Sequence, residues 1–110
     1  KMAYDEGLAQ RVTELLEEKP GFNEKNMFGG VCYLLNGNMV CGVLNEDIIV
    51  RVGLERYEDS LKSPHTRKFD ITGRPMKGWV MVSPEGHESD GDLEAWVKKG
   101  VSFVLSLPPK

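Results

Sequence analysis

Three sets of side chains in this 110-residue chain are of types that do chemistry. Cys32 and Cys41 stand on either side of Asn36-Gly37, a dipeptide that favours a two-residue type I′ hairpin turn. Such a turn pairs Leu35 with Asn38, Leu34 with Met39, Tyr33 with Val40 and Cys32 with Cys41. The two thiols then face one another with Cα atoms about 4.5 Å apart, near the short limit for a disulfide. A reversible redox pair is therefore one reading. A three-residue turn through Asn38 would instead shift the register and send the sulfurs to opposite faces. In a reducing compartment two such cysteines act as small buried apolar groups.

The second set is cationic. Residues 51–77 carry 7 basic against 4 acidic side chains, whereas the whole chain has a formal charge of −3. Arg51, Arg67, Arg74 and Lys77 make up the candidate anion or partner site, with Arg74 on a Gly-Arg-Pro loop of the kind that exposes functional residues. The third set, His65 and His87, lies 24 and 22 positions beyond Cys41 and His65 respectively. That spacing lacks the tight ligand pairs of a structural zinc site, so no metal is expected. No nucleophile elbow, phosphate loop or dinucleotide fingerprint accompanies these residues, and Gly29-Gly30 lacks the third glycine and the lysine that a phosphate loop needs. Neither a catalytic residue nor a cofactor is expected.

The elements that would position these residues follow from periodicity. Leu8, Val12, Leu15 and Leu16 fall on one helical face between Asp5 and Lys19, and Pro20-Gly21 ends that helix. Apolar runs over 27–35, 39–44 and 48–52, separated by Asn36-Gly37-Asn38 and Asn45-Glu46-Asp47, predict a three-stranded antiparallel meander. Leu54, Tyr57 and Leu61 mark a short helix closed by Ser63-Pro64. Arg67, Phe69 and Ile71 alternate with polar residues in a fourth strand, and Trp79 to Val82 form a fifth. Ser89 or Asp90 caps a last helix whose inner face holds Leu93, Trp96, Val97, Val101, Val104 and Leu105.

These elements give the order αβββαββα: an α+β, two-layer fold with a five-stranded antiparallel sheet and helices on one face. The strands are more continuously apolar than strictly alternating, which predicts partial cover on the second face from a partner or a second copy. The length suits one domain over residues 2–108, with a folded surface of roughly 6,100 Å² by size scaling. Lys1 reads as an addition before a natural start at Met2. The apolar runs are too short to span a membrane and no signal leader is seen, so the expected location is cytoplasmic. Direct nucleic-acid binding is not expected from a net-acidic chain without a basic helix face.

The run Met27-Phe28-Gly29-Gly30, then Gly37 and Gly42, then Arg51 and Gly53, resembles the N-terminal domain of the TfoX/Sxy family, as do Gly73-Arg74-Pro75-Met76 and the segments around Trp79 and Trp96. The motif positions are mostly glycines and apolar residues, so the resemblance speaks to fold before function. It implies a curved antiparallel sheet of the kind shared with secretion chaperones, a bacterial cytoplasmic setting, and a link to the regulation of natural competence. The named regulators carry a second domain after this one, so the chain is expected to match their first domain alone. The expected function is a non-enzymatic regulatory or protein-interaction module, possible as a homodimer. The alternative is a small-anion or nucleotide-binding domain, conceivable as a weak enzyme, centred on Arg51 and Arg74.

Overall fold

Asp5 begins the first helix by accepting a hydrogen bond from the Leu8 backbone N–H at 3.0 Å, one of the donors that a helix start leaves without an intrahelical partner. The computed structural model describes residues 4–27, 29–70 and 73–110. Helix α1 (Glu6–Leu16) leads into strands β1 (Phe22–Met27), β2 (Gly30–Leu35), β3 (Asn38–Leu44) and β4 (Asp47–Arg51). Helix α2 (Leu54–Leu61), strands β5 (Thr66–Lys68) and β6 (Trp79–Val82), a 3₁₀ turn at Pro84–Gly86 and helix α3 (Asp90–Leu105) complete the order. Ser89 caps α3 by accepting from the Asp92 N–H at 3.1 Å.

The strands form one antiparallel sheet ordered β1-β2-β3-β4-β6-β5. Among the described residues the sheet therefore has six strands, and the five-stranded expectation is corrected by β1. This strand, Phe-Asn-Glu-Lys-Asn-Met, is polar and exposed beyond its first residue, so it lacks the apolar alternation by which strands are read. Backbone pairing with β2, from Phe22 opposite Leu35 to Met27 opposite Gly30, holds it in place. As an edge it is guarded by charge. Opposed residues in an antiparallel ladder share a face, so a symmetric pairing of two copies about the strand centre sets Glu24 against Glu24 or Lys25 against Lys25. Of the predicted fourth strand only 66–68 are strand; Phe69 is buried beyond its end, and Ile71 lies outside the described residues.

Alternation along the central strands sorts the core into two faces. Val31, Tyr33, Leu35, Val43, Ile48, Val50, Val80 and Val82 meet all three helices in one cluster that includes Leu8, Val12, Leu16, Tyr57, Trp96, Val97 and Val104. The second face carries a smaller cluster of Ile49, Phe69 and Met81, with Leu44 and Trp79 packed against it. Leu54 and Leu105, read as inward-facing, are exposed. The total surface of 6492 Å² is close to that expected for the chain length. No helix among the described residues is long and apolar enough to cross a membrane.

The β2–β3 hairpin has the predicted turn, with Asn36 and Gly37 both at positive φ (54° and 82°), as a type I′ turn requires. Leu35 pairs with Asn38 and Leu34 with Met39, but the register then shifts, so that Tyr33 pairs with Cys41 and Cys32 with Gly42. Val40 is the extra residue. The irregularity lets both Val40 and Cys41 bury completely in the helix-side core, whereas strict alternation would have turned one of them away. At this point α3 sits close on the sheet: a Cβ on Gly100 would lie 2.7 Å from the Val40 carbonyl oxygen.

Candidate functional site

The shifted register decides the fate of the cysteines. Cys41 belongs to the helix-side core, whereas Cys32, directly opposite Gly42, lines the other face of the sheet. The direct Cys32–Cys41 pairing expected from an uninterrupted two-residue hairpin is thus corrected by the one-residue irregularity at Val40. Both thiols are free and buried. Burial pushes both above the usual thiol range, and Cys32 adds to the rise at Cys41, so neither presents a ready thiolate.

On the second face the strands build an apolar groove of about 460 Å³. Gly30 and Gly42 leave its floor bare. A Cβ on Gly30 would run into the Val43 carbonyl, and one on Gly42 would lie 2.9 Å from the Val31 carbonyl and 3.2 Å from the Met39 methyl. Around that floor stand Cys32, Leu34, Leu44, Ile49, Phe69 and Trp79, with the Phe69 and Trp79 ring centroids 6.3 Å apart. Met27 from the edge strand, Met39 from β3 and Met76 from the loop before β6 supply the flexible part of the lining. Met81 joins Ile49 and Phe69 beneath. Every described methionine thus lies on this face, although the four positions are scattered over 55 residues of sequence (27 to 81). Met27 and Met76 are 41% and 45% exposed, which makes them large apolar groups held in water at the rim. Unbranched thioether side chains adapt their shape to what they meet, which suits a recognition surface.

The predicted cationic set is not brought together. Arg51 lines the groove, with its guanidinium carbon 5.3 Å from the Trp79 ring centre and 5.2 Å from that of Phe103. Arg67 is committed elsewhere, donating at 2.6 Å to the buried Asp47 carboxylate and at 2.9 Å to the Ser83 hydroxyl. Arg74 and Lys77 are exposed in the loop that leads to β6, outside the groove lining. Arg51 and Arg67 share a sheet face, opposite Trp79 and Met81, but Arg67 is held by Asp47 and the two loop cations stand outside the lining, so the four do not make one site.

The motif residues mark the same groove. Met27, Gly30, Gly37, Gly42 and Arg51 all line it, Gly53 follows Arg51 with Phe103 pressed against its α-carbon, and Gly29 makes the turn into β2 at φ 79°. Phe28 lies outside the described residues.

Of the remaining buried polar groups, His87 and Tyr33 have structural partners, whereas the Tyr57 hydroxyl has none among the described residues. His87 is buried and donates from Nε2 to the Glu46 carbonyl at 2.9 Å, leaving Nδ1 without a partner, while its own carbonyl accepts from Arg11 at 3.3 Å. Tyr33 donates to the Ala9 carbonyl at 2.9 Å and accepts from Thr13 at 3.2 Å; burial pushes its phenol up to about 12. A second hollow of about 490 Å³ is lined by His65, Glu85, Asp92, Trp96 and Lys99, and its charged walls are those of a solvated surface cleft. Among the described residues no group of three or more His, Cys, Asp or Glu side chains stands together in a way that could hold a metal ion.

The comparisons with known proteins agree with the motif. The family model described as the TfoX N-terminal domain matches residues 14–104, which is most of the chain and includes every groove-lining element from β1 to β6. No curated protein matches the chain.

Proposed function

The chain belongs to the TfoX N-terminal domain family, and from that premise we propose that it is a non-enzymatic recognition module that seats a segment of a protein partner in the methionine-lined groove. The observation that carries this reading is the second apolar face. A two-layer α+β domain needs one buried sheet face for its core, and this sheet has a second apolar one that is grooved and rimmed by exposed methionines. Methionine-rich grooves recognise apolar side chains by adapting to them. The regulatory role implied by the family resemblance, in a bacterial cytoplasm and in the control of competence, is consistent with a module that acts by binding.

Site-specific photocrosslinking tests it. A benzophenone amino acid in place of Met76, at the groove rim, should give discrete protein adducts in cells of the native host. The same group in place of Leu54, which is exposed on α2 and is not among the groove-lining residues, should not. Equal yields from both positions, or none from either, would remove the support. Adducts of twice the chain mass would instead make the occupant a second copy of this protein.

Arg51 in the groove wall favours the second reading, a small anionic ligand held at Arg51 without the Arg74 expected from the sequence. It predicts thermal stabilisation by phosphorylated metabolites that disappears in Arg51→Ala and persists in Arg74→Ala.

A further inference from the structure

Taking the groove as a protein-docking surface, we infer that Arg51 is its charge selector: the segment that docks is apolar and carries one acidic side chain whose carboxylate meets the Arg51 guanidinium. This rests on the reading just proposed and adds the chemistry of the partner.

Charge complementarity carries the inference. Arg51 stands in the groove wall as a cation, and no aspartate or glutamate is among the lining residues. The ion pairs among the described residues are Arg11 with Asp90 and Arg67 with Asp47, and Arg51 takes part in neither. Its guanidinium is nevertheless held in place by Trp79 of β6 and Phe103 of α3, with ring centres 5.3 and 5.2 Å away. Contact with aromatic rings engages the cation without consuming its N–H donors, which project in its own plane and can fork onto a carboxylate. A cation already positioned loses less freedom on binding than a mobile surface lysine does. The apolar walls also lower the local dielectric, so a carboxylate brought there is attracted more strongly than on an open surface.

The test is a selection of random phage-displayed peptides on the whole chain, scored by the ¹³C-methyl resonances of Met27, Met39, Met76 and Met81. Peptides that move these resonances should combine Leu, Met or Phe with an aspartate or glutamate. Replacing that acid by its amide should weaken binding at least about tenfold, as expected for a charge-assisted hydrogen bond. Arg51→Glu should turn the selected charge from acidic to basic, and Arg51→Lys should keep the preference for acid with reduced affinity, because a point charge cannot fork. Amide spectra establish that each variant is folded, and Arg51→Gln replaces Arg51→Glu if the latter is not.

Peptides that move the methionine methyls with no acid preference and bind Arg51→Glu as well as wild type would overturn the inference and leave the docking reading intact. A selection in which no peptide moves those methyls would overturn both. If decanoate moves them and no peptide does, the occupant is a small amphipathic acid and the assignment to a protein segment fails.

Discussion

Replacing Gly100 by alanine sets two effects of opposite sign against each other. In the interior of a helix, alanine is favoured over glycine by about 1 kcal/mol, so helix propensity alone predicts a more stable protein. At this position the added Cβ would lie 2.7 Å from the Val40 carbonyl oxygen and 2.9 Å from the Val40 Cγ1. Ordinary contact begins near 3.4 Å, so about 0.7 Å of extra separation is needed. The obstructing atom is main chain in the middle of the sheet, so α3 has to lift. Lifting α3 loosens Trp96, Val97, Val101 and Val104, all of which are buried against the sheet. Overpacking of this kind costs about 2–3 kcal/mol. The net expectation is a loss of about 1–2 kcal/mol, or roughly 5–10 °C in the unfolding midpoint for a domain of this size. Gly91 in the same helix has open space where its Cβ would be. Gly91→Ala should therefore be neutral or stabilising by up to about 1 kcal/mol. Thermal unfolding followed by circular dichroism reads both variants. A Gly100→Ala midpoint equal to or above that of wild type would refute the close seating of α3 on the irregularity at Val40.

Arg67→Ala should cost about 1–3 kcal/mol in urea unfolding because it leaves the Asp47 carboxylate buried without its partner, and adding Asp47→Asn should recover part of that loss. Stability should fall as pH rises from about 10 towards 12: the phenol of Tyr33 ionises near its usual value of 10 once unfolded but only near about 12 when folded, so its contribution is complete below the lower value and lost through the upper one. Tyr33→Phe should flatten that limb; an unchanged alkaline profile would assign it to other groups. Mild oxidation should leave both thiols reduced, with two titrated after unfolding and Cys41 unreactive before it, and an intrachain disulfide formed without loss of structure would contradict the assignment of the two sulfurs to opposite faces. Replacing Glu24 and Lys25 by threonine should promote self-association through β1, seen as concentration-dependent elution, because it removes the like-charge opposition that guards the edge.

Much of the local structure is legible in the chain itself because it depends on dihedral preferences and on near neighbours. Asn36-Gly37 specifies a type I′ turn, and both residues adopt positive φ. Ser89 before Asp90 and Asp92 specifies a capped helix start, and the spacing of Leu93, Trp96, Val97, Val101 and Val104 specifies its buried face. The motif of Met27, Gly30, Gly37, Gly42, Arg51 and Gly53 was sufficient to indicate the family, and the α+β class with it.

What only the tertiary structure decided depends on register and on distant contact. β1 has a sequence that would be read as a loop, and it is a strand because the free edge of β2 is there to pair with it. A single extra residue at Val40 reverses which face each later side chain of β3 meets, and no periodicity in the sequence announces it, since Val40 and Cys41 are both apolar. The cations that lie near one another in sequence are divided between a buried carboxylate, an open loop and a pair of aromatic rings. The methionines, which are far apart in sequence, are gathered on one sheet face, because strand alternation and antiparallel pairing bring together β1, β3, β6 and the loop before β6. Turns and helices are properties of a few neighbouring residues, whereas a groove is a property of which strands lie side by side and in what register.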